Sequence, residues 1–155
     1  MIKSVSATFF EVGIRHDKMM DDGSQKKVTE KYVFDAVSFS EAEEKAAKEI
    51  EKMGGGEAEV KSESQASYGE VVVSDANSDD RWYKVKVAII TVDERSGKEK
   101  RTYYKQLVQG ASVSSAINNV TSIFGTTMLD YEISSVAETK IVDVILHKTE
   151  ATDGV

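Results

Sequence analysis

The sequence lacks cysteine and contains only two histidines, His16 and His147, among 155 residues. Without cysteine the chain cannot form disulfides, thiolate metal sites or a cysteine nucleophile, and two histidines are too few for an all-histidine zinc site. Both histidines are expected at strand ends, either as ordinary surface residues or as a pH-sensitive contact. No stretch approaches the roughly 18 consecutive apolar residues of a membrane-spanning helix, and the N-terminus has no apolar region typical of a signal peptide. We therefore predict no metal, no cofactor and no membrane partner.

The composition that is present suits one folded domain. Apolar residues make up 40% of the chain and charged residues 30%, enough for a packed core and a solvated surface. The net charge of −7 argues against non-specific binding of nucleic acid or anionic lipid. Residues 81–105 depart from this average, because they hold eight basic and three acidic side chains. This basic segment is either an ordinary solvated hairpin or a binding surface.

The second half of the chain resembles the first at a spacing of about 73 to 74 residues. Four stretches match in the same order: residues 9–14 with 82–87, 22–27 with 96–101, 36–42 with 110–116, and the pair 60–62 and 71–73 with the pair 133–135 and 142–144. Self-similarity at a fixed spacing indicates one structural unit that is used twice. We predict a tandem duplication.

Each repeat is predicted to contain a β-hairpin, a helix and a long final strand. Alternating apolar residues indicate the first strands, at Phe10, Val12 and Ile14 and at Tyr83, Val85, Val87 and Ile89. Glycine-containing turns follow at 21–23 and 93–97, and the return strands lie at 32–34 and 104–108. The final strands are expected near 58–73 and 131–147, each with a bend or bulge.

Both predicted helices have recognisable first residues. Ser38 and Glu41 have the spacing of a capping box, and Ser112 takes the N-cap position in the second repeat. Three glycines at 54–56 are expected to end the first helix. The second helix carries an apolar stripe that should be buried: Val113, Ala116, Ile117, Val120, Ile123 and Phe124.

The predicted fold class is α+β: a tandem duplication of a β-β-α-β unit that forms a mainly antiparallel sheet with two helices on one face. Residues 1–155 are interpreted as a single compact domain built of two repeats, about 6–73 and 80–147. A polar linker is expected at 74–79 and a frayed tail at 148–155.

Four stretches of the sequence, residues 25–30, 35–43, 81–87 and 130–141, are similar to an uncharacterised family. The family comprises short proteins from Bacteroides-type bacteria and from their phages and mobile elements. The resemblance covers nearly the whole chain. It implies a cytoplasmic location and a phage or mobile-element context. It supplies no catalytic residue, because the family is named only as a domain of unknown function.

No catalytic motif is recognisable in the sequence. It has no nucleophile elbow, phosphate-binding loop, dinucleotide fingerprint or zinc-protease helix. Asp75, Asn77 and Asp79 imitate the start of a calcium loop, but Asp80 and Lys86 stand where glycine and glutamate are needed. We therefore predict that the protein is not an enzyme.

One strand face remains as the candidate functional surface. Because side chains alternate across a strand, Trp82, Lys84 and Lys86 are expected on the face opposite the helices. The neighbouring strand can place further aromatic and basic side chains beside them. The predicted binding surface consists of Trp82, Lys84, Lys86, Lys100, Arg101, Tyr103 and Lys105.

Aromatic and basic side chains on an open strand face suit two kinds of partner. A protein interface uses such side chains as its energetic centre, and single-stranded DNA or RNA needs rings for stacking and cations for phosphates. A third interpretation is that the aromatic residues are simply packed. We predict a non-enzymatic binding module, an accessory protein acting through protein contacts or self-association as a homo-oligomer. The alternative is single-stranded nucleic-acid binding.

Overall fold

The computed structural model describes residues 1–53 and 57–146. Those residues form two helices and nine strands, which confirms the predicted α+β class. The helices are α1 (Phe39–Lys52) and α2 (Val113–Phe124). The strands are β1 (Ile2–Ser6), β2 (Phe9–Met19), β3 (Gln25–Asp35), β4 (Glu59–Gln65), β5 (Glu70–Ser74), β6 (Arg81–Val92), β7 (Glu99–Gly110), β8 (Tyr131–Glu138) and β9 (Ile141–Ile145). Glycines 54–56, His147 and the tail predicted at 148–155 lie outside the described residues.

The described strands form two sheets, not one. The first sheet has the strand order β1-β5-β7-β6-β8 and the second the order β4-β2-β3-β9. Neighbouring strands are antiparallel except for β5 with β7 and β3 with β9, which are parallel. The predicted single sheet with both helices on one face is therefore wrong, because α2 packs on the first sheet and α1 on the second.

The error arises from the long final strand predicted for each repeat. That segment is two strands in different sheets: β4 then β5 in the first half, β8 then β9 in the second. β4 is exposed along most of its length, as suits an edge strand, whereas Val71 and Val72 of β5 are fully buried. The polar residues interpreted as a bend mark the place where the chain leaves one sheet for the other.

The chain divides into two compact units. Unit 1 comprises Met1–Ala7 and Ser67–Lys140, and unit 2 comprises Thr8–Ala66 and the chain from Ile141. In both halves two strands, a helix and two further strands follow one another. The last strand of each half joins the sheet of the other, β5 beside β7 and β9 beside β3. The tandem duplication itself stays a prediction.

The core of unit 1 lies between its sheet and α2. Tyr83, Val85, Val87 and Val108 are buried on one sheet face, together with Ala116 and Val120 of the helix: all six belong to one apolar cluster. The helix begins with a complete capping box between Ser112 and Ser115. The expected stripe is buried only in its middle. Ile117, Ile123 and Phe124 are half-buried and Val113 is 48% exposed, because the helix ends overhang the core.

The core of unit 2 repeats this arrangement with α1. Val12, Ile14, Tyr32 and Phe34 are buried with Ala46 of the helix in one cluster. The predicted N-cap is present, since the Ser38 hydroxyl accepts a hydrogen bond from the Glu41 N–H at 3.1 Å. The Glu41 carboxylate forms an ion pair with Lys45 at 3.3 Å, one helical turn further on.

Candidate functional site

Strands β6 and β7 extend beyond the rest of their sheet as a two-stranded ribbon. β8 pairs with β6 only as far as Ile89, and β5 pairs with β7 only at Leu107 and Val108. Residues 91–105, which we call the ribbon, are all exposed. Within the described chain, β7 therefore has an open edge along the ribbon. Exposed strand edges are ready-made templates for pairing with another strand.

The ribbon closes in a compact turn over residues 93–98. Gly97 has a φ of +69°, a conformation that glycine adopts without strain. The Asp93 N–H donates to the Lys98 carbonyl at 2.9 Å, and the Asp93 carboxylate accepts from the Arg95 N–H at 2.9 Å. These bonds fix the turn, so the two strands keep one register.

That register places most of the predicted surface residues on one sheet face. Trp82, Lys84 and Lys86 lie on the face turned away from α2, where Lys86 pairs with Lys105. Tyr103, paired with Ala88, and Arg101, paired with Ile90, lie on the same face. Lys100 pairs with Thr91 and lies on the opposite face. Six of the seven residues named from the sequence therefore share a face.

Trp82 is not part of the exposed surface. Only 4% of its side chain is exposed, and its carbonyl accepts hydrogen bonds from both the N–H and the hydroxyl of Thr139. Trp82 lies at the start of β6, where β7 and β8 flank the strand on both sides. Alternation along the strand predicted the sheet face on which Trp82 lies but not that the side chain is buried there. The tryptophan is therefore a packing residue and offers no ring to a partner.

Three basic side chains on this face already have partners. The Lys86 nitrogen lies 4.5 Å from the centre of the Tyr103 ring, and the Lys84 nitrogen 5.9 Å from the centre of the Tyr68 ring. Both distances fit cation–π contacts. The Arg101 guanidinium donates to Glu132 at 2.8 Å, and this hydrogen bond and charge raise the pKa of Arg101 above its ordinary value. The face is therefore an ordered array, not a loose cluster of cations.

Two exposed apolar side chains of the ribbon were missed by the sequence reasoning. Tyr104 is 53% exposed and Val92 is 63% exposed. The return strand predicted at 104–108 includes Tyr104, but at this point the strand runs past α2 and the side chain is exposed. Lys100 and Thr102 lie on the same ribbon face as Tyr104. The length of the strands could have indicated this exposure. A twelve-residue strand is about twice as long as a twelve-residue helix, because the rise per residue is about 3.3 Å in a strand and about 1.5 Å in a helix. The helix therefore cannot cover the whole strand.

Comparison with family models gives one match over residues 8–147, to the family described as Domain of unknown function (DUF4494). The chain belongs to this family. Comparison with curated proteins and with solved structures gives no match. The predicted membership of an uncharacterised family is confirmed, and the family's description assigns no activity. The matched region contains both helices and every strand from β2 to β9, including the whole ribbon.

In this family member a buried polar network joins the predicted linker to α2. The Asp79 carboxylate accepts from the Ser74 hydroxyl at 2.5 Å and from the Asn119 amide at 3.2 Å. The Gln109 amide donates to the Asp79 carbonyl at 2.8 Å and accepts from the Ser74 N–H at 2.9 Å. The segment that imitates a calcium loop is therefore held by protein groups. Across residues 1–53 and 57–146, no three His, Asp or Glu side chains could together hold a metal ion.

Unit 2 carries titratable contacts of its own. The Nε2 atom of His16 lies 2.6 Å from the Glu30 carboxylate, and its Nδ1 atom lies 3.2 Å from the Asp17 carbonyl. His16 therefore lies within a polar cluster at the exposed end of β2.

Glu63 on β4 lies beside Glu43 on α1. Burial, followed by the hydrogen bond and negative charge of Glu43, raises the pKa of Glu63 above its ordinary value. The neutral form of the Glu63 carboxyl is therefore favoured over its carboxylate more than it would be in water.

An open groove of about 550 Å³ lies between α1 and the end of β9 in unit 2. Three lysines and Glu49 line its helix side, and apolar residues line its strand side: Lys45, Lys48 and Lys52, and Val144, Ile145 and Leu146. Lys45 pairs with both Asp35 and Glu41. The groove therefore has less unpaired charge than its lysines suggest.

No helix in the described part of the chain is long and apolar enough to cross a membrane.

Proposed function

We propose that this chain is a non-enzymatic interaction module that binds protein chains, its own copies included, through the ribbon. The observation that carries this proposal is the projection of β6 and β7 beyond their sheet with every residue from 91 to 105 exposed. An isolated two-stranded hairpin is only marginally stable in water. A ribbon of this length gains stability when a partner covers it.

The side chains of the ribbon fit a protein partner. Val92, Tyr103 and Tyr104 are large apolar groups exposed by about half or more. Tyrosine and arginine are enriched among the residues that dominate binding energy at protein interfaces. Lys86 and Glu132 hold Tyr103 and Arg101 in position before any partner arrives. Such pre-ordering lowers the entropy lost on binding.

Single-stranded nucleic acid is the second candidate, supported by the exposed Tyr104 ring on the same ribbon face as Lys100. Two features weigh against it. Trp82 is 4% exposed and cannot stack on a base, and Lys86 covers one face of the Tyr103 ring. A protein partner therefore has the stronger support.

The cellular setting follows from the family resemblance alone. We propose a cytoplasmic accessory protein from a phage or mobile element of Bacteroides-type bacteria.

The test is capture from extract of the native host, scored for proteins and nucleic acids together. Three baits are compared: the wild type, the double variant Tyr103→Ala/Tyr104→Ala, and the control variant Met128→Ala. Met128 is a matched control because it is fully exposed and lies outside the ribbon. We expect the double variant to capture its protein partner at least about tenfold less than the other two. Equal capture by all three baits would overturn the proposal.

A salt titration of the captured complex separates the two candidates. Phosphate contacts lose affinity by orders of magnitude between low and physiological salt, whereas an interface centred on tyrosine changes little. We expect weak salt dependence and no effect of nuclease. A steep salt slope with release by nuclease would replace the proposal with nucleic-acid binding.

A further inference from the structure

The backbone groups at the open edge of β7 alternate in a defined way. The Trp82 carbonyl accepts from Thr139 and the Ile90 N–H donates to Asp130, so even-numbered residues of β6 direct their backbone towards β8. Odd-numbered residues of β6 therefore bond to β7, and their partners on β7 are even-numbered. It follows that Glu99, Arg101, Tyr103 and Lys105 direct their N–H and carbonyl groups outwards. Along residues 99–105 the described chain adds no strand beside them.

The sequence of this edge is complementary to itself when reversed. If two copies of residues 99–105 run antiparallel with Thr102 opposite Thr102, Glu99 faces Lys105 at each end. Arg101 then faces Tyr103, and Lys100 faces Tyr104. An opposite-charge pair and two cation–aromatic pairs are each favourable across a sheet. The outward groups of residues 99, 101, 103 and 105 fall opposite one another, so both strands can exchange their hydrogen bonds.

Neighbouring registers lack this complementarity. A shift by one residue in either direction sets Lys105 against Lys100 or Lys98, and it also misaligns the outward backbone groups. A shift by two residues sets Arg101 against Lys105 or against itself. Like charges directly opposite one another destabilise a sheet. Within two residues, only the arrangement centred on Thr102 avoids them.

We propose that two copies of this chain pair antiparallel along the open edge of β7, about a two-fold axis that passes midway between their Thr102 residues. This inference rests on the proposed function and names its partner: a second copy of the chain. The pairing joins the two five-stranded sheets into one continuous sheet across the dimer. A two-fold interface uses the same patch on both copies, which is why the reversed strand has to complement itself.

Single-cysteine crosslinking tests the register directly, because the chain has no cysteine of its own. Thr102→Cys places two thiols beside the axis, at a site not hydrogen-bonded across the dimer, where the Cα atoms are about 4.5 Å apart. That separation permits a disulfide. Thr91→Cys is the matched control: Thr91 is an equally exposed threonine of the same ribbon face on β6, and its two copies would lie roughly 20 Å apart.

Under mild oxidation we expect Thr102→Cys to form covalent dimers at least about tenfold faster than Thr91→Cys, because pairing raises the effective thiol concentration. Equal rates for the two variants would overturn the proposed register. The rates are compared on the folded, full-length protein with non-reducing gels, and the circular dichroism of both variants should match that of the wild type.

Charge exchange provides a second test. Glu99→Lys and Lys105→Glu each set like charges together at both ends of the pairing, so each should weaken dimer formation by about tenfold in sedimentation velocity. A mixture of the two variants restores both opposite-charge pairs and should form heterodimers at wild-type concentrations. Failure of the mixture to recover dimers would overturn the pairing. Loss of protein capture by the Tyr103→Ala/Tyr104→Ala variant would still support the proposed function, so the two failures are distinguishable.

Discussion

Lys86 holds its ammonium nitrogen 4.5 Å from the centre of the Tyr103 ring, on the face of the ribbon turned away from α2. The pair links β6, where that strand still pairs with β8, to the part of β7 that has an open edge. Tyr103 remains 49% exposed. A ring fixed from one side and open on the other is suited to contact a partner, because little side-chain freedom remains to be lost.

Tyr103→Ala should separate binding from stability. The ring is half-exposed, so we expect the free energy of unfolding to fall by less than about 1 kcal/mol. Binding through the ribbon should weaken by about 1–2 kcal/mol. Urea denaturation measures the first quantity and titration of the captured partner the second. A large loss of stability with unchanged binding would show that Tyr103 is a structural residue.

Trp82→Ala should have the opposite effect. Its side chain is 4% exposed, so removal of the ring leaves a cavity and should cost about 3–5 kcal/mol of the free energy of unfolding. Partner affinity of the protein that remains folded should be unchanged. Chemical denaturation with matched binding measurements checks both statements. A stability loss below about 1 kcal/mol would contradict the burial of this residue.

Gln106→Met should stabilise the protein. Gln106 is fully buried opposite Val85, and no protein group in the described chain forms a hydrogen bond with either atom of its amide. An unsatisfied buried amide is costly, so its replacement by an apolar side chain should raise the free energy of unfolding by about 1–3 kcal/mol. Gln109→Met is the control and should destabilise, since the Gln109 amide bonds to Asp79 and Ser74. Denaturation midpoints that rank the variants in the reverse order would contradict this reasoning.

The Glu63–Glu43 contact should make stability depend on pH. The folded-state pKa of Glu63 is raised by burial and by Glu43, whereas the pKa of an unfolded glutamate is about 4.3. The folded protein therefore holds this proton more tightly than the unfolded chain. The contribution is fully present below the unfolded pKa and is lost as the pH rises through the raised one.

The substitution Glu63→Gln removes this dependence. We expect the melting temperature of the wild type to fall, relative to the variant, as the pH rises from about 4 towards neutrality. Glu44→Gln, at an exposed glutamate next to Glu43 on α1, is the control and should follow the wild type. If the melting temperatures of the wild type and of Glu63→Gln changed equally with pH, the result would contradict a raised pKa at this site.

Local signals in the sequence predicted local structure well. Ser38 and Ser112 cap the helices as their spacing indicated, because a cap depends on residues within one turn. The alternation at Tyr83, Val85 and Val87 correctly indicated the face that packs under α2. The ribbon was recognised as a hairpin for the same reason.

Long-range features were not predictable from those patterns. The passage from β4 to β5 between two sheets depends on which strands the whole chain offers as neighbours, and polar residues there resemble a bend. The depth of Trp82 and the exposure of Tyr104 depend on where β8 and α2 end relative to β6 and β7. Strand period fixes the face of a side chain, and only tertiary packing fixes its burial.

Sedimentation velocity in nuclease-treated extract of the native host tests the central claim most directly. The wild type and the Tyr103→Ala/Tyr104→Ala variant each carry the additional substitution Met128→Cys, and the label is attached to this cysteine. The chain has no other thiol, and position 128 is fully exposed and lies outside the ribbon. Our account predicts that the wild type sediments faster than a 17.1 kDa monomer, while the ribbon variant sediments as the monomer. Identical sedimentation of the two proteins would contradict the assignment of binding to the ribbon.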